Sequence, residues 1–233
     1  FTFPSTTPNT LKHFTWEFAT ASQEYEMGYG FCEALNIHGD VNENNGAIMY
    51  NAVIKGRLAA ASTPTAALGF LANYEALNIN YASVHIDAVG TAAGTAAATS
   101  AVFKGFSLDL QTGWTADNAR YADGRNPRDF STPTFSNYML TGTLKAVFGS
   151  TAVTQLANMR AGTPVIYAIK CLGTSARAVV FKLPAVYPGI AQLGNDTNKL
   201  HTLEFPIRVA YSRTAVAQAP EFNITASALT TVT

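Results

Sequence analysis

The sequence predicts a mainly β fold: an antiparallel β-sandwich or barrel with one or two short flanking α-helices. Three observations carry this. Short runs alternate apolar and polar residues with period two, giving about nine candidate strands. Turn signals separate the runs, the clearest being Asn44-Asn45-Gly46 between two alternating stretches. Phe (14), Tyr (10) and β-branched residues fill the runs, whereas helical spacing is confined to short stretches.

The elements follow in chain order. Residues 1–10 are rich in Pro and Thr and read as an extended arm. Phe14, Trp16 and Phe18 alternate with polar or small residues, which makes a strand with one apolar face. Residues 22–30 are polar and carry glycines, so a loop is expected. Phe31, Leu35 and Ile37 then alternate with Cys32, Ala34, Asn36 and His38. After the Asn-Gly turn, Ile48, Tyr50, Ala52 and Ile54 oppose Met49, Asn51, Val53 and Lys55. Thr63-Pro64 opens a short helix through Ala72, and a strand is expected at 81–89. Residues 90–101 are small and of low complexity, which fits a flexible loop rather than a phosphate cradle. A strand at 101–112 precedes a long loop at 113–136, a length that points to function. A strand is expected at 137–148 and a helix at 150–161, capped by Ser150 and stopped by Gly162. Further strands are expected near 164–172, 177–187 and 200–212, with a final strand or arm in residues 214–233. The expected organisation is therefore an arm (1–10), one β domain (11–213) and a C-terminal segment (214–233).

Composition narrows the function. A chain of 233 residues buries roughly 70% of its unfolded surface, so neither disulfides nor a metal are needed to fold it. Charged residues make up only 13%, against about 25% in ordinary soluble domains. Lys+Arg and Asp+Glu are 15 each, so the net charge is zero and the chain should associate readily. That balance argues against tight nucleic-acid binding. No apolar run reaches transmembrane length. The start, Phe1-Thr2-Phe3, has no signal-peptide pattern, and its numbering is expected to begin after some leading residues. Cys32 and Cys171 read as small apolar residues rather than a disulfide. Asn195-Asp-Thr and Asn223-Ile-Thr fit the glycosylation pattern, but nothing else points to secretion, and they read as chance.

Signals for chemistry are weak. His13, His38, His85 and His201 have no metal-like spacing, so they read as satisfied or exposed strand histidines. The stretch Asp40–Gly46 resembles the start of a calcium loop, but its glycine comes one position late and its twelfth residue is Asn51; a hairpin turn explains it. Gly28-Tyr29-Gly30 leads into a strand, which is wrong for a dinucleotide fingerprint. The carboxylate pairs Glu24/Glu26 and Asp123/Asp129 sit in expected loops, with nothing to make them converge. No catalytic residue, metal or cofactor is expected, and the chain is read as a non-enzyme.

Association is better supported. Arg120, Arg125 and Arg128 lie among Asp117, Asp123, Asp129 and aromatic residues in the long loop, a mixture typical of protein interfaces. Residues 12–46 hold six acidic residues against one basic, net −5; residues 145–213 hold eight basic against two acidic, net +6. An acidic and a basic third suit head-to-tail contact. Interface contacts are expected from Phe1, Phe3, Tyr25, Tyr29, Trp114, Tyr121, Arg125, Arg128 and Phe130.

Several segments in order resemble the tail tube proteins of long-tailed, non-contractile bacteriophages. They are TWEFAT, EYEMGYGF leading into FCEALNIHGDVN, AVIKGRLAAAS, NYASVHIDAVGTAAGT, FKGFSLDLQTGW, NYMLTGTLKAVF and the closing KLHTLEFPIRVAY. Together they span most of residues 11–213. The resemblance implies a virion subunit, made in the host cytoplasm, that forms hexameric rings stacked into a tube. It also implies a tape-measure protein and terminator or tip proteins as partners, with genomic DNA passing through the lumen without specific binding. Lumen-facing lysines and arginines would grip phosphates, so a neutral to acidic lumen is expected, drawn from the polar faces of the early strands. The alternatives are another self-assembling virion protein, of decoration or secreted-tube type, and a carbohydrate-binding β-sandwich.

Overall fold

The alternating runs become strands of one large antiparallel sheet that folds over on itself. The structure, a computed structural model, describes residues 11, 13–19, 23–57, 59–63, 76–99, 102–116, 130, 133–173, 178–195, 201–209 and 221–225. The strands are β1 (Phe14–Ala19), β2 (Glu24–Asp40), β3 (Met49–Lys55), β4 (Ala60–Ala61), β5 (Ala82–Ala88) and β6 (Phe103–Gln111). They continue with β7 (Trp114–Thr115), β8 (Thr134–Phe135) and β9 (Met139–Val147). After helix α1 (Ser150–Ala161) come β10 (Val165–Leu172), β11 (Ala178–Val186), β12 (Gln192–Asn195), β13 (His201–Val209) and β14 (Glu221–Thr225).

Twelve strands form the sheet, in the path β1-β2-β6-β9-β13-β11-β10-β5. β3 and β4 add to β2, β12 adds to β13, and β14 adds to β11. The path folds where β13 meets β11, through only Ala185↔Val209 and Val186↔Arg208. Layer one is β3-β2-β6-β9-β13-β12, and layer two is β5-β10-β11 with β14. Inward residues at period two meet between them: Phe106, Leu108 and Leu110 from β6, Leu140 and Leu144 from β9, Phe205 and Ile207 from β13. Layer two answers with Tyr167, Ile169, Phe181 and Leu183. Phe106 and Phe181 touch across the gap, with ring centroids 5.6 Å apart. Each such side chain contributes about 1.5–3 kcal/mol on burial.

Helix α1 closes one end. Its cap residue is Gly149 rather than the expected Ser150, which starts the first turn. Gly162 takes the left-handed conformation (φ 65°), and Thr163 N–H reaches back to the Asn158 carbonyl, ending the helix as a Schellman turn. The helix sends Gln155 into the core, where its Oε1 accepts from the Tyr167 and Tyr187 hydroxyls at 3.1 and 2.9 Å.

Several expectations are corrected. Residues 24–30 are not a loop: they are the first half of β2 and pair with β1 as a ribbon. Polar and glycine content disguised the strand because this half of β2 lies against no main core. For the same reason Trp16 is 45% exposed rather than buried as a strand tryptophan usually is. The loop expected to be flexible is not free over residues 90–99, because Asp87 holds it at Gly94, Thr95 and Ala96. β12 was unforeseen, being four residues with Gly194 among them. The last described strand, Glu221–Thr225, lies within the expected C-terminal segment 214–233. The helix expected from Thr63-Pro64 falls on residues 64–72, outside the described residues. The Asn44-Asn45-Gly46 hairpin turn is as expected, with Asn44 and Asn45 both at positive φ. Both cysteines are free thiols. Among the described residues no helix is long and apolar enough to cross a membrane.

Candidate functional site

Register across layer one builds its outward face in rows. One row reads Asn51, Asn36, Asp109, Thr141, Arg208. The next reads Met49, His38, Ser107, Thr143, Pro206. The third reads Asp40, Gly105, Lys145, Glu204, Gln192. Cross-strand hydrogen bonds tie them together. Asn36 Nδ2 donates to Ser107 Oγ (3.0 Å) and Asp109 Oδ1 (2.6 Å), and its own Oδ1 lies 2.7 Å from His38 Nδ1.

Gly105 has a specific task in the third row. It leaves a gap over which Lys145 Nζ reaches Asp40 Oδ2 at 3.0 Å, skipping one strand. A Cβ at this position would come within 2.9 Å of the Gly39 carbonyl and 3.1 Å of Asp40 Oδ2. Partial burial pulls the Lys145 pKa down, but Asp40, with Glu204 and Glu43 nearby, outweighs it and the net shift is upward. On β3, Lys55 lies 3.5 Å from Glu33. The face is thus polar, and these two lysines are matched by carboxylates. A shallow depression of about 280 Å³ around Asp40, Glu43, Lys145 and Glu204 is open to solvent. Among the described residues no group of three His, Cys, Asp or Glu side chains is placed to hold a metal.

The edges of the two layers differ. β3 pairs only with β2 among the described residues, and Met49, Tyr50 and Val53 expose both of its faces; Tyr50 is 74% exposed. At the far side of the same layer, β12 pairs only with β13, and Leu193 is 68% exposed. In layer two, the outer edge of β5 is covered by the chain itself. Thr99 N–H donates to the Val84 carbonyl (2.7 Å) and Ala98 bridges His85. The 90–99 loop is latched by Asp87, which is only 3% exposed. Its carboxylate accepts from Gly94 N (2.6 Å), Ala96 N (2.6 Å), Thr95 N (3.1 Å) and Thr95 Oγ1 (3.0 Å). Burial raises the Asp87 pKa, but these donors overcome it and the net shift is downward.

Of the residues expected at interfaces, the structure gathers three. Tyr29, Trp114 and Phe130 join Phe31, Leu11 and Ala116 in a second, smaller core at the base of the β1–β2 ribbon. Phe130 is 6% exposed and edges onto Phe31, so it is not available as a surface anchor; it ties the long loop to β2. Trp114 is half-buried beside Phe135. Tyr29 has φ 57°, an outlier for a bulky residue, and it sits in a β-bulge where Gly28 and Tyr29 face one residue of β1. His13 stacks on its ring at 4.6 Å and the Arg57 guanidinium lies 4.4 Å from its centre. Tyr25 stands apart, stacked on Phe18 at 5.4 Å. Phe1, Phe3, Tyr121, Arg125 and Arg128 lie outside the described residues. Exposed aromatics missed as candidates include Phe14, Trp16 and Phe18, whose alternation was visible as one apolar face, and Tyr50, Tyr81 and Phe148.

No protein-family model matches the chain, and no curated protein is significantly similar to it.

Proposed function

We propose that the chain is a structural, non-enzymatic subunit of a phage tail tube. Copies join edge to edge, β12 of one beside β3 of the next, so that layer one continues from subunit to subunit. The observation that carries this reading is the contrast between edges. An unpaired strand edge invites association, and chains that remain single cover theirs. Among the described residues, the chain covers β5 at Val84 and His85 with its own loop, while β3 and β12, at the two ends of layer one, each pair on one side alone.

The polar outward face of layer one supports a conduit. As the lining of a closed ring it offers Asp40, Asp109 and Glu204 against Lys145 and Arg208, with Lys145 held by Asp40. Such a surface gives passing DNA little to grip. The closure at six copies, the stacking, the tape-measure and terminator or tip partners, and the place in the virion tail come from the resemblance. The carbohydrate-binding reading needs aromatics and a carboxylate pair in one groove. Strand alternation instead puts Phe14, Trp16, Phe18 and Tyr25 on one ribbon face and Glu17, Glu24 and Glu26 on the other.

Negative-stain electron microscopy across concentration and salt tests the proposal, with rings or hollow tubes expected. Val53→Lys and Leu193→Lys place a charge on one edge each and should each abolish growth. Mixed together they should yield dimers and no more, because each supplies one intact edge. A wild type that stays monomeric and binds glycans overturns the reading.

A further inference from the structure

We infer that the joint between copies is antiparallel and has one register, with Leu193 of β12 opposite Ala52 on β3 of the next copy and Gln192 opposite Val53. The inference rests on the reading of the chain as a tube subunit joined through these two edges, and it adds how the edges meet.

Strand direction comes first. Layer one holds an even number of strands, β3-β2-β6-β9-β13-β12, and each neighbouring pair is antiparallel. β3 and β12 therefore point in opposite directions, and copies related by rotation about a tube axis meet antiparallel. Backbone direction then limits the partners, because N–H and C=O groups of successive residues point to alternate sides of a strand. Thr112 N–H donates to the Glu33 carbonyl and Val41 N–H to the Lys104 carbonyl, so the odd residues of β2 from Glu33 to Val41 face β6 and the even ones face β3. Across that ladder Met49, Asn51 and Val53 face β2, which turns the groups of Tyr50, Ala52 and Ile54 to the far edge. Phe148 N–H donates to the His201 carbonyl, so Thr202 and Glu204 face β12 and are met by Gly194 and Gln192. Leu193 and Asn195 are left turned to the other edge.

The edge residues also carry exposed apolar side chains. Tyr50 pairs with Ile37 and Leu193 with Leu203, so both lie on the core-side face of layer one, and both rank among the most exposed large apolar side chains described. Leu193 can stand opposite Tyr50, Ala52 or Ile54. Opposite Tyr50, Asn195 would meet Ile48, whose N–H is already given to the Leu77 carbonyl at 2.9 Å. Closure of a barrel argues the same way. The row from Gln192 runs through Glu204, Lys145, Gly105 and Asp40, and the β2–β3 register carried past His38↔Met49 brings it to residue 47. Joining Gln192 to Asn51, Val53 or Lys55 makes the row climb about four, six or eight residues per six strands. With ~3.4 Å per residue and ~4.8 Å between strands, the strands then tilt by about 25°, 35° or 43°, whatever the number of copies. Closed barrels tilt by about 35–45°, which removes the first. Of the remaining two, only the Ala52 register lays β12 over Tyr50. The Ile54 register ends β12 opposite Ala52 and leaves Tyr50 bare.

Gln192→Cys with Val53→Cys in one chain tests the register. The two exposed positions would form a non-hydrogen-bonded pair on the polar face, with Cα atoms about 4.5 Å apart, within reach of a disulfide. Tubes of this variant, grown reduced and then oxidised, should give a ladder of covalent multimers on non-reducing gels. Peptide mapping should place the bond between residues 192 and 53, away from Cys32 and Cys171. Chains carrying Gln192→Cys alone, mixed with chains carrying Val53→Cys alone, should give covalent dimers and no more. Moving the second cysteine to Asn51 or Lys55 should cut the yield severalfold. In wild-type tubes, which need no variant to fold, hydrogen exchange at the Tyr50, Ala52 and Leu193 amides should slow about tenfold or more against the monomer. Crosslinking that favours Lys55→Cys or Asn51→Cys overturns the register and leaves the edge-pairing reading standing. Tubes with unchanged exchange at those amides overturn the joint itself. A wild type that never assembles overturns the tube reading as well.

Discussion

Removing the Asp87 carboxylate tests how the β5 edge is guarded. Its two oxygens accept three backbone N–H groups and one hydroxyl, two of the bonds at 2.6 Å. Hydrogen bonds to a charged group are worth about 1.5–3 kcal/mol each, and they do not add fully. Asp87→Ala leaves the N–H groups of Gly94, Thr95 and Ala96 without their acceptor. If the loop swings out to water, the loss is the latch and the packing of the loop on β10, about 3–5 kcal/mol. Asp87→Asn keeps one acceptor oxygen but turns a donor toward a donor, so about 2–3 kcal/mol is expected. The pH dependence has a definite sign. A carboxyl whose folded pKa lies below the unfolded one stabilises the fold above the ordinary carboxylate range, near pH 4. That contribution fades as pH falls through the folded value. Urea unfolding at pH 7 and at steps down to pH 2.5 reads both effects. The wild type should lose stability over that interval, and Asp87→Ala should lose less. A cost under 1 kcal/mol at neutral pH, or an identical pH slope in the two proteins, refutes the latch.

Other substitutions probe the rest of the frame. Gln155→Leu removes the acceptor shared by the Tyr167 and Tyr187 hydroxyls, which lie 2.6 Å from each other; about 2–3 kcal/mol should be lost in chemical denaturation. Gly105→Ala pushes a methyl against the Gly39 carbonyl and Asp40; a loss of about 1–3 kcal/mol is expected, with the Asp40–Lys145 pair broken. A double-mutant cycle with Lys145→Met should then show coupling between the two positions. Burial pushes the Cys171 thiol up to about 12, so at pH 8 it should resist a thiol reagent until the chain unfolds. Cys32, half-buried and also raised, first by burial and then by Glu33, should react slowly but sooner.

What the sequence made legible follows the reach of its signals. Helix α1 and the β2–β3 hairpin were readable because Gly162 and Asn44-Asn45-Gly46 act within a few residues. The strands that carry Phe106, Leu108, Leu140 and Leu144 were readable because burial of one face imposes period two. The first half of β2 was hidden because its partner is another exposed strand and its bulge breaks the alternation at Tyr29. The 90–99 loop read as flexible because its own residues are small, whereas the group that fixes it sits in the preceding strand. The Lys145–Asp40 pair was hidden for a similar reason: 105 positions separate its partners, and only the register of three strands lines them up across Gly105. Phe130 shows the limit from the other direction. An aromatic in a long polar loop has the composition of a surface anchor, yet its ring packs on Phe31.

The two open edges bear on the kind of assembly. A strand that pairs with its own copy about a two-fold axis needs one open edge, and the dimer is then closed. Among the described residues layer one has two, and they are unlike: β3 is seven residues long and β12 four. β3 carries Met49, Tyr50 and Val53, whereas β12 carries Leu193 and Gly194. Unlike edges at opposite ends of one layer satisfy each other only head to tail, and such a contact leaves a free edge at each end of every growing oligomer until it closes. In the assembly we propose, the sheet twist that sets the angle between neighbours would decide whether copies close into a ring or run on as a ribbon. The latched loop has a part in that choice. In the assembly we propose, the loop over Val84 and His85 keeps copies from joining along β5 as well.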